Sequence, residues 1–279
     1  MPTHESSSSD AAHHPKTALI TGGSRGIGLA LAEEFAADGY DLVLVARDEE
    51  RLEAVARALQ SRFGVAATAI SIDLAEPDTP ERIRDHLLER DIEIDALVNN
   101  AAMATYGPYA ESDREAERTL LRVNVEAPLA LITEFLPAML ERDDGLILTV
   151  ASTAAFQPGP YMAGYHASKA ALVSATESIA EECRDTDVTV TALCPGPVST
   201  GIHDRSGRGS SWLERRFMLT PERVATAGYR GAKRGDGMVI PGRRNRILAA
   251  FARLLPHSLR RRYGRWVVVP GVIPGRKQG

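Results

Sequence analysis

Tyr165 and Lys169 stand four residues apart in the run Tyr165, His166, Ala167, Ser168, Lys169. A phenol is a poor acid at neutral pH because its ordinary pKa is about 10, but an ammonium one helical turn away stabilises the phenolate. Such a pair is suited to protonating or deprotonating an oxygen. Any helix brings a residue beside the one four positions on, so the spacing gains meaning only from what accompanies it. Ser152, thirteen residues before Tyr165, offers a second hydroxyl, and Asn124 an amide further upstream.

The elements that must position these groups follow from periodicity. Short apolar, β-rich runs at Thr17 to Thr21, Asp41 to Ala46, Val65 to Ile72, Ile94 to Asn99, Gly145 to Ala151, Val188 to Cys194 and Met238 to Pro241 predict strands. Helical stretches alternate with them: Gly26 to Asp38, Asp48 to Arg62, Pro80 to Arg90, Ser112 to Arg142 with a break at Asn124 or Pro128, Gly164 to Arg184 and Pro221 to Arg234. Repeated strand and helix with short connections predict an α/β fold, a Rossmann-type doubly wound parallel sheet flanked by helices. The expected organisation is a disordered tail over residues 1–15, one domain over 16–241, and a basic amphipathic extension over 242–279.

Between the first strand and first helix runs Thr21, Gly22, Gly23, Ser24, Arg25, Gly26, Ile27, Gly28. Glycines at these places let the chain turn tightly and admit a pyrophosphate to the main chain, while the helix N-terminus supplies amide donors. At the end of the second strand a carboxylate would favour NAD. This chain instead carries Arg47 there and Arg25 in the loop, a pattern that favours the 2′-phosphate of NADP(H). The bland alternative for Arg47 is a surface pair with Asp48 or Glu49. Asp73, after the third strand, is placed either to accept the adenine amino group or to cap a turn.

Together these motifs resemble the short-chain dehydrogenase/reductase family, in its single-domain branch of about 250 residues. The resemblance runs from about Lys16 to Val239 and rests on the glycine loop, Asn99-Asn100-Ala101, Asn124, Ser152, the Tyr165/Lys169 pair and Pro195-Gly196. It implies that Tyr165 is the general acid at a substrate carbonyl and that Lys169 lowers its pKa and holds the nicotinamide ribose. Ser152 would bond the same carbonyl, and Asn124 would anchor a water leading from Lys169 to solvent. It further implies cofactor contacts from Gly22, Ser24, Arg25, Gly26, Ile27, Gly28, Arg47, Asp73, Asn100, Tyr165, Lys169, Pro195, Gly196, Val198 and Thr200. One departure is Ala102, where the family usually has glycine. The implied activity is hydride transfer between NADP(H) and a carbonyl or secondary alcohol, with a hydrophobic ketone or aldehyde as small-molecule substrate. Two alternatives remain open at this point. An epimerase or dehydratase of the longer related branch shares the Tyr/Lys pair but typically has a GxxGxxG loop and a larger C-terminal domain; an NADP(H)-binding sensor or scaffold would keep the fold without turnover.

A chain of 279 residues with 44% hydrophobic and 25% charged residues suits a soluble globular protein, neither fibrous nor disordered. Cys183 and Cys194 lack metal-ligand spacing and read as reduced thiols of a cytoplasmic core; no metal is expected. Substrate choice is expected between Pro195 and Thr220, where Ile202, His203, Trp212, Leu213, Phe217 and Met218 would form a mobile lid, with Phe156, Pro158 and Tyr161 opposite. His166 and His203 read as structural or solvated, the alternative being auxiliary acids. From Arg230 to Gly279 there are thirteen Lys or Arg and one acid, Asp236, against a whole-chain charge of -4. Ile247, Leu248, Phe251, Leu254 and Leu255 share a helical face there. That stripe is free to pack on the domain, at a subunit contact or on an anionic membrane, whereas no motif points to nucleic acid. The family resemblance implies a homo-dimer or tetramer through the 112–142 and 164–184 helices.

Overall fold

The computed structural model describes residues 15–199 and 218–268. Most of the expected tail, Thr200 and the lid residues Ile202, His203, Trp212, Leu213 and Phe217 lie outside the described residues. Seven strands, β1 (Thr17–Thr21), β2 (Asp41–Ala46), β3 (Ala67–Ser71), β4 (Ala96–Asn99), β5 (Gly145–Val150), β6 (Val188–Leu193) and β7 (Met238–Val239), form one sheet. All neighbours are parallel, in the order β3-β2-β1-β4-β5-β6-β7. The chain leaves β1 to one side through β2 and β3, then returns to β4 on the other side, so a crevice opens at the carboxyl ends of β1 and β4.

Both faces of this sheet are covered, which is why its strands read as nearly continuous apolar runs. Ala18, Ile20, Leu42 and Leu44 pack with α1 (Gly26–Ala37), α2 (Glu49–Phe63) and a helix over Pro221–Lys233. The alternate residues Leu19, Val43 and Val45 turn to the opposite face, against α3 (Thr79–Leu88) and the helix over Ala127–Arg142. Each such Leu, Ile or Val is worth about 1.5–3 kcal/mol when fully buried.

The long helical stretch expected from Ser112 runs on from 114 to 142 without the break expected at Asn124 or Pro128, widening instead at Asn124. After α4 (Arg114–Leu121) comes a π-helical turn, Arg122–Glu126, and then α5 (Ala127–Arg142), with Asn124 inside the widened turn and wholly buried. α6 (Ala163–Glu182) carries the Tyr/Lys pair, and α7 (Pro221–Lys233), α8 (Arg243–Leu254) and α9 (His257–Val268) complete the described chain.

On α8 the inward face is made of small residues, and most of the apolar stripe lies outside it. Ala249 and Ala252 are buried in a small cluster with Phe156, Leu172, Val173 and Cys194, and Arg253 lies 4.1 Å from the centre of the Phe156 ring. Alanines let the helix backbone come close, so the larger Ile247, Phe251 and Leu254 are left on the outer side. Phe156 is thereby drawn under α8, and Gln157 and Met162 take the wall position expected for it.

The glycine loop folds back on β4. Gly22 and Gly26 have φ of +66° and +58°, which a side chain would strain. A Cβ on Gly28 would lie inside contact distance of the Gly22 carbonyl and the Asn100 amide. Gly28→Ala is therefore expected to destabilise the protein by about 1–3 kcal/mol, read as a lowered urea midpoint with unchanged slope.

Candidate active site

Two hydrogen-bonded clamps build the site. The first joins β1 to β4. Thr21 Oγ1 donates to the Val98 carbonyl at 3.3 Å and accepts from the Asn100 and Ala101 amides at 2.9 and 3.1 Å. The Asn100 side chain donates back to the carbonyls of Thr21 and Gly22, at 2.9 and 3.2 Å. Asn100 thus shapes the glycine loop with its side chain while lining the cleft beside it.

The second clamp holds the proton chemistry. Lys169 is 2% exposed; its ammonium donates to the Val150 carbonyl at 2.8 Å and lies 5.9 Å from the Tyr165 ring centre. Asn124 exchanges two bonds with the Met103 backbone, both 2.9 Å, and donates to Ser168 Oγ at 3.0 Å. Ser168 in turn donates to the Tyr165 carbonyl at 2.8 Å. The Asn124 side chain is therefore committed to Met103 and Ser168, and it reaches the Tyr/Lys helix through Ser168. Ser152 Oγ accepts from the Ala154 amide at 3.1 Å, the capping bond usual for a serine at a strand end. Its hydroxyl also lines the cleft with Tyr165.

A cleft of about 670 Å³ connects these parts. Its lining includes Gly22, Ser24, Arg25, Gly26, Ile27, Arg47, Asp73, Asn100, Ser152, Tyr165, Lys169, Pro195, Gly196 and Val198. Of the other site residues read from sequence, Gly28 lies behind the loop, Asn124 behind Tyr165, and Thr200 outside the described residues. The cleft fits a dinucleotide by its donors. α1 begins without a side-chain cap or an acidic residue in its first turn, so its amides are left for an anion, whereas Asp48 caps α2 and Asp113 caps α4. Asp73 makes the turn, accepting from Ala75 N at 3.0 Å, and also lies 3.7 Å from Arg47.

Residues 16–210 match the family model described as short chain dehydrogenase. The chain belongs to that family. A 7beta-hydroxysteroid dehydrogenase of Clostridium sardiniense is 30% identical over 231 residues, 83% of this chain and 84% of that one. Among solved structures, a short-chain dehydrogenase from Sphingobium yanoikuyae in complex with NADPH superposes with a TM-score of 0.76 at 29% identity, covering 95% of this chain and 100% of that one. A short-chain dehydrogenase/reductase from Burkholderia phymatum in complex with NAD gives 0.76 at 27%, covering 86% and 92%. As a short-chain dehydrogenase the protein is an oxidoreductase acting on a CH–OH/C=O pair with NAD(P).

Three groups of this short-chain dehydrogenase site were not assigned from sequence. Thr21 and Met103 act through contacts across the fold that no local spacing signals. Ser168 sat within the quoted run, and its place three residues after Tyr165 is the geometry of a helical serine bonding back to a carbonyl. His166, read as structural or solvated, is 7% exposed and lines the cleft, with Nδ1 donating to the Gln157 carbonyl at 2.8 Å. Burial pushes the Cys194 thiol up to about 12, so it stays an inert thiol in the core.

Burial also lowers Lys169 from 10.5 to about 8. The unfolded chain keeps that proton to higher pH than the native cofactor-free protein, so native stability rises as pH climbs through this interval. Relative to Lys169→Met, which lacks the titration, the parent protein is expected to gain stability between about pH 8 and pH 10. Urea denaturation at the two ends checks it, and a difference that stays constant would contradict a desolvated ammonium.

Proposed function

We propose that the protein uses NADPH to reduce a hydrophobic ketone or aldehyde to an alcohol. The observation that carries the cofactor choice is the pair of exposed guanidiniums, Arg25 and Arg47, at the cleft rim beside the end of β2. The nearest carboxylate in sequence, Asp48, also lines the cleft but is engaged in capping α2 and pairing with Arg51 at 3.3 Å. Arg47 keeps 72% of its side-chain surface exposed, and its 3.7 Å contact with Asp73 is a weak surface pair that a 2′-phosphate would outcompete.

The bound cofactor supplies the hydride. The remaining work falls to the chain: Tyr165 gives its phenolic proton to the carbonyl oxygen, and Ser152 orients that oxygen by a hydrogen bond. Lys169 stabilises the phenolate left behind. Proton and hydride together account for the added hydrogens of the alcohol. Met103, Ala104, Val123 and Met162 along the same cleft support an apolar substrate, as does the similarity to a hydroxysteroid dehydrogenase. Exposed Leu121 on α4 and Leu140 on α5 suit pairing of copies through the same helices.

Across a panel of ketones and aldehydes, Tyr165→Phe is expected to lower kcat/KM by about 10²- to 10⁴-fold while NADPH binding, followed by fluorescence, persists. Turnover surviving in this variant would remove Tyr165 from the reaction. Arg47→Asp is expected to weaken NADPH by about tenfold or more and to leave NADH nearly unchanged. Equal loss of both would sink the phosphate assignment.

A further inference from the structure

Helices α8 and α9 combine two features that a self-contained fold does not need. Ile247, Phe251 and Leu254 are spaced four and three residues apart on the outer side of α8, and they are 68%, 52% and 84% exposed. Leu259 on α9 is 47% exposed. Single exposed apolar residues are ordinary, but a row of large ones over successive turns of one helix is not. Around them, residues 243–265 contain eight arginines and no carboxylate.

Some of those arginines hold the two helices in place. Arg253 lies over Phe156 and Arg260 donates to the carbonyls of Arg253 and Leu255, at 3.0 and 3.3 Å. Phe251 meets Tyr263 edge to face at 5.8 Å, fastening α8 to α9. Arg243, Arg246, Arg261, Arg262 and Arg265 remain exposed on the same two helices. The result is a braced unit with apolar side chains projecting among cationic ones.

We propose that this unit docks the enzyme on the surface of an anionic phospholipid bilayer. Exposed leucine-type and aromatic groups enter the acyl boundary while arginines meet the headgroup phosphates, each cation near such a surface adding attraction that salt weakens. Charge separates this occupant from others. A second copy placed face to face would set eight arginines against eight, with no acid on either unit. A nucleic acid would satisfy the arginines but leave the aliphatic row unused.

The docking unit also touches the active site. Gly264 of α9 sits so close to the Pro158 carbonyl that a Cβ there would collide with it, and Asn245 of α8 occupies the space beside Gly196. Gln157 and Gly196 line the cleft. A bilayer under α8 and α9 therefore lies next to the substrate wall, a suitable place to collect a membrane-dissolved carbonyl compound. This last step rests on the reductase reading above, whereas the docking itself does not.

The test is sedimentation of the full chain with vesicles of phosphatidylcholine alone or mixed with phosphatidylglycerol, at roughly 0.1 and 0.5 M salt. The expected result is binding to the mixed vesicles that weakens at the higher salt and falls about tenfold or more in a triple variant, Ile247→Glu, Phe251→Glu, Leu254→Glu. The double variant Arg246→Glu, Arg261→Glu is expected to lose the preference for anionic lipid, and it decides the matter alone should the triple variant not fold. Turnover of a small water-soluble ketone should be unchanged in both. Absence of vesicle binding overturns the proposal, as does equal binding by parent and variants or tighter retention on duplex DNA. So does loss of a dimer in the triple variant without loss of vesicle binding. Vesicle binding is read without turnover, so an inactive protein that still docks would refute the reductase reading and leave the surface standing.

Discussion

The Lys169 ammonium is enclosed, and most of the site's order can be understood as the cost of keeping it there. A charge removed from water costs several kcal/mol unless it is met by fixed partners. Here a partner is the carbonyl of Val150, the last residue of β5. A main-chain carbonyl at a strand end cannot move unless the sheet moves, so α6 is held in register with β5. Tyr165, one turn earlier on that helix, inherits the same placement. A proton donor is thus located by the rigidity of a parallel sheet and not by a loop.

The cofactor side uses the same sheet from its other half. Thr21 and Asn100 tie the end of β1 to the end of β4, the two strands between which the topology reverses. One clamp fixes where phosphate can approach and the other where the reacting oxygen must sit. Because both are anchored on adjoining parallel strands, their separation is set by strand spacing, which packing holds to fractions of an ångström. The π-helical turn around Asn124 links the halves, since its widened backbone puts one amide between Met103 and Ser168.

The parts legible in the sequence were those whose physics is local. Strand and helix alternation, the glycine loop and the Tyr/Lys spacing each depend on residues within a turn or two, whereas the break expected at Asn124 or Pro128 is a π-helical widening at Asn124. Thr21 and Met103 escaped because their partners are distant in sequence. The α8 stripe left several partners open in the sequence, for another reason. Periodicity shows that the apolar residues share a face but not which face meets the domain, and here Ala249 and Ala252 pack beside Phe156 while Ile247 and Phe251 stay outside. Asp73 likewise had two readings, and the structure gives it the turn bond and a loose contact with Arg47.

Val198 and Leu219 form an isolated bridge, reinforced by Leu219 N bonding the Pro197 carbonyl at 3.1 Å and Ser199 N bonding the Leu219 carbonyl at 3.3 Å. Chain entering and leaving the intervening segment is therefore cinched at its base. Lengthening a loop whose ends are already joined costs only about 0.6 kcal/mol per doubling. What lies between these two residues can consequently be exchanged, shortened or extended with little effect on the register of β6 and β7. Such a neck holds the chain on either side of that stretch, so its sequence can diversify while the machinery around Lys169 stays fixed.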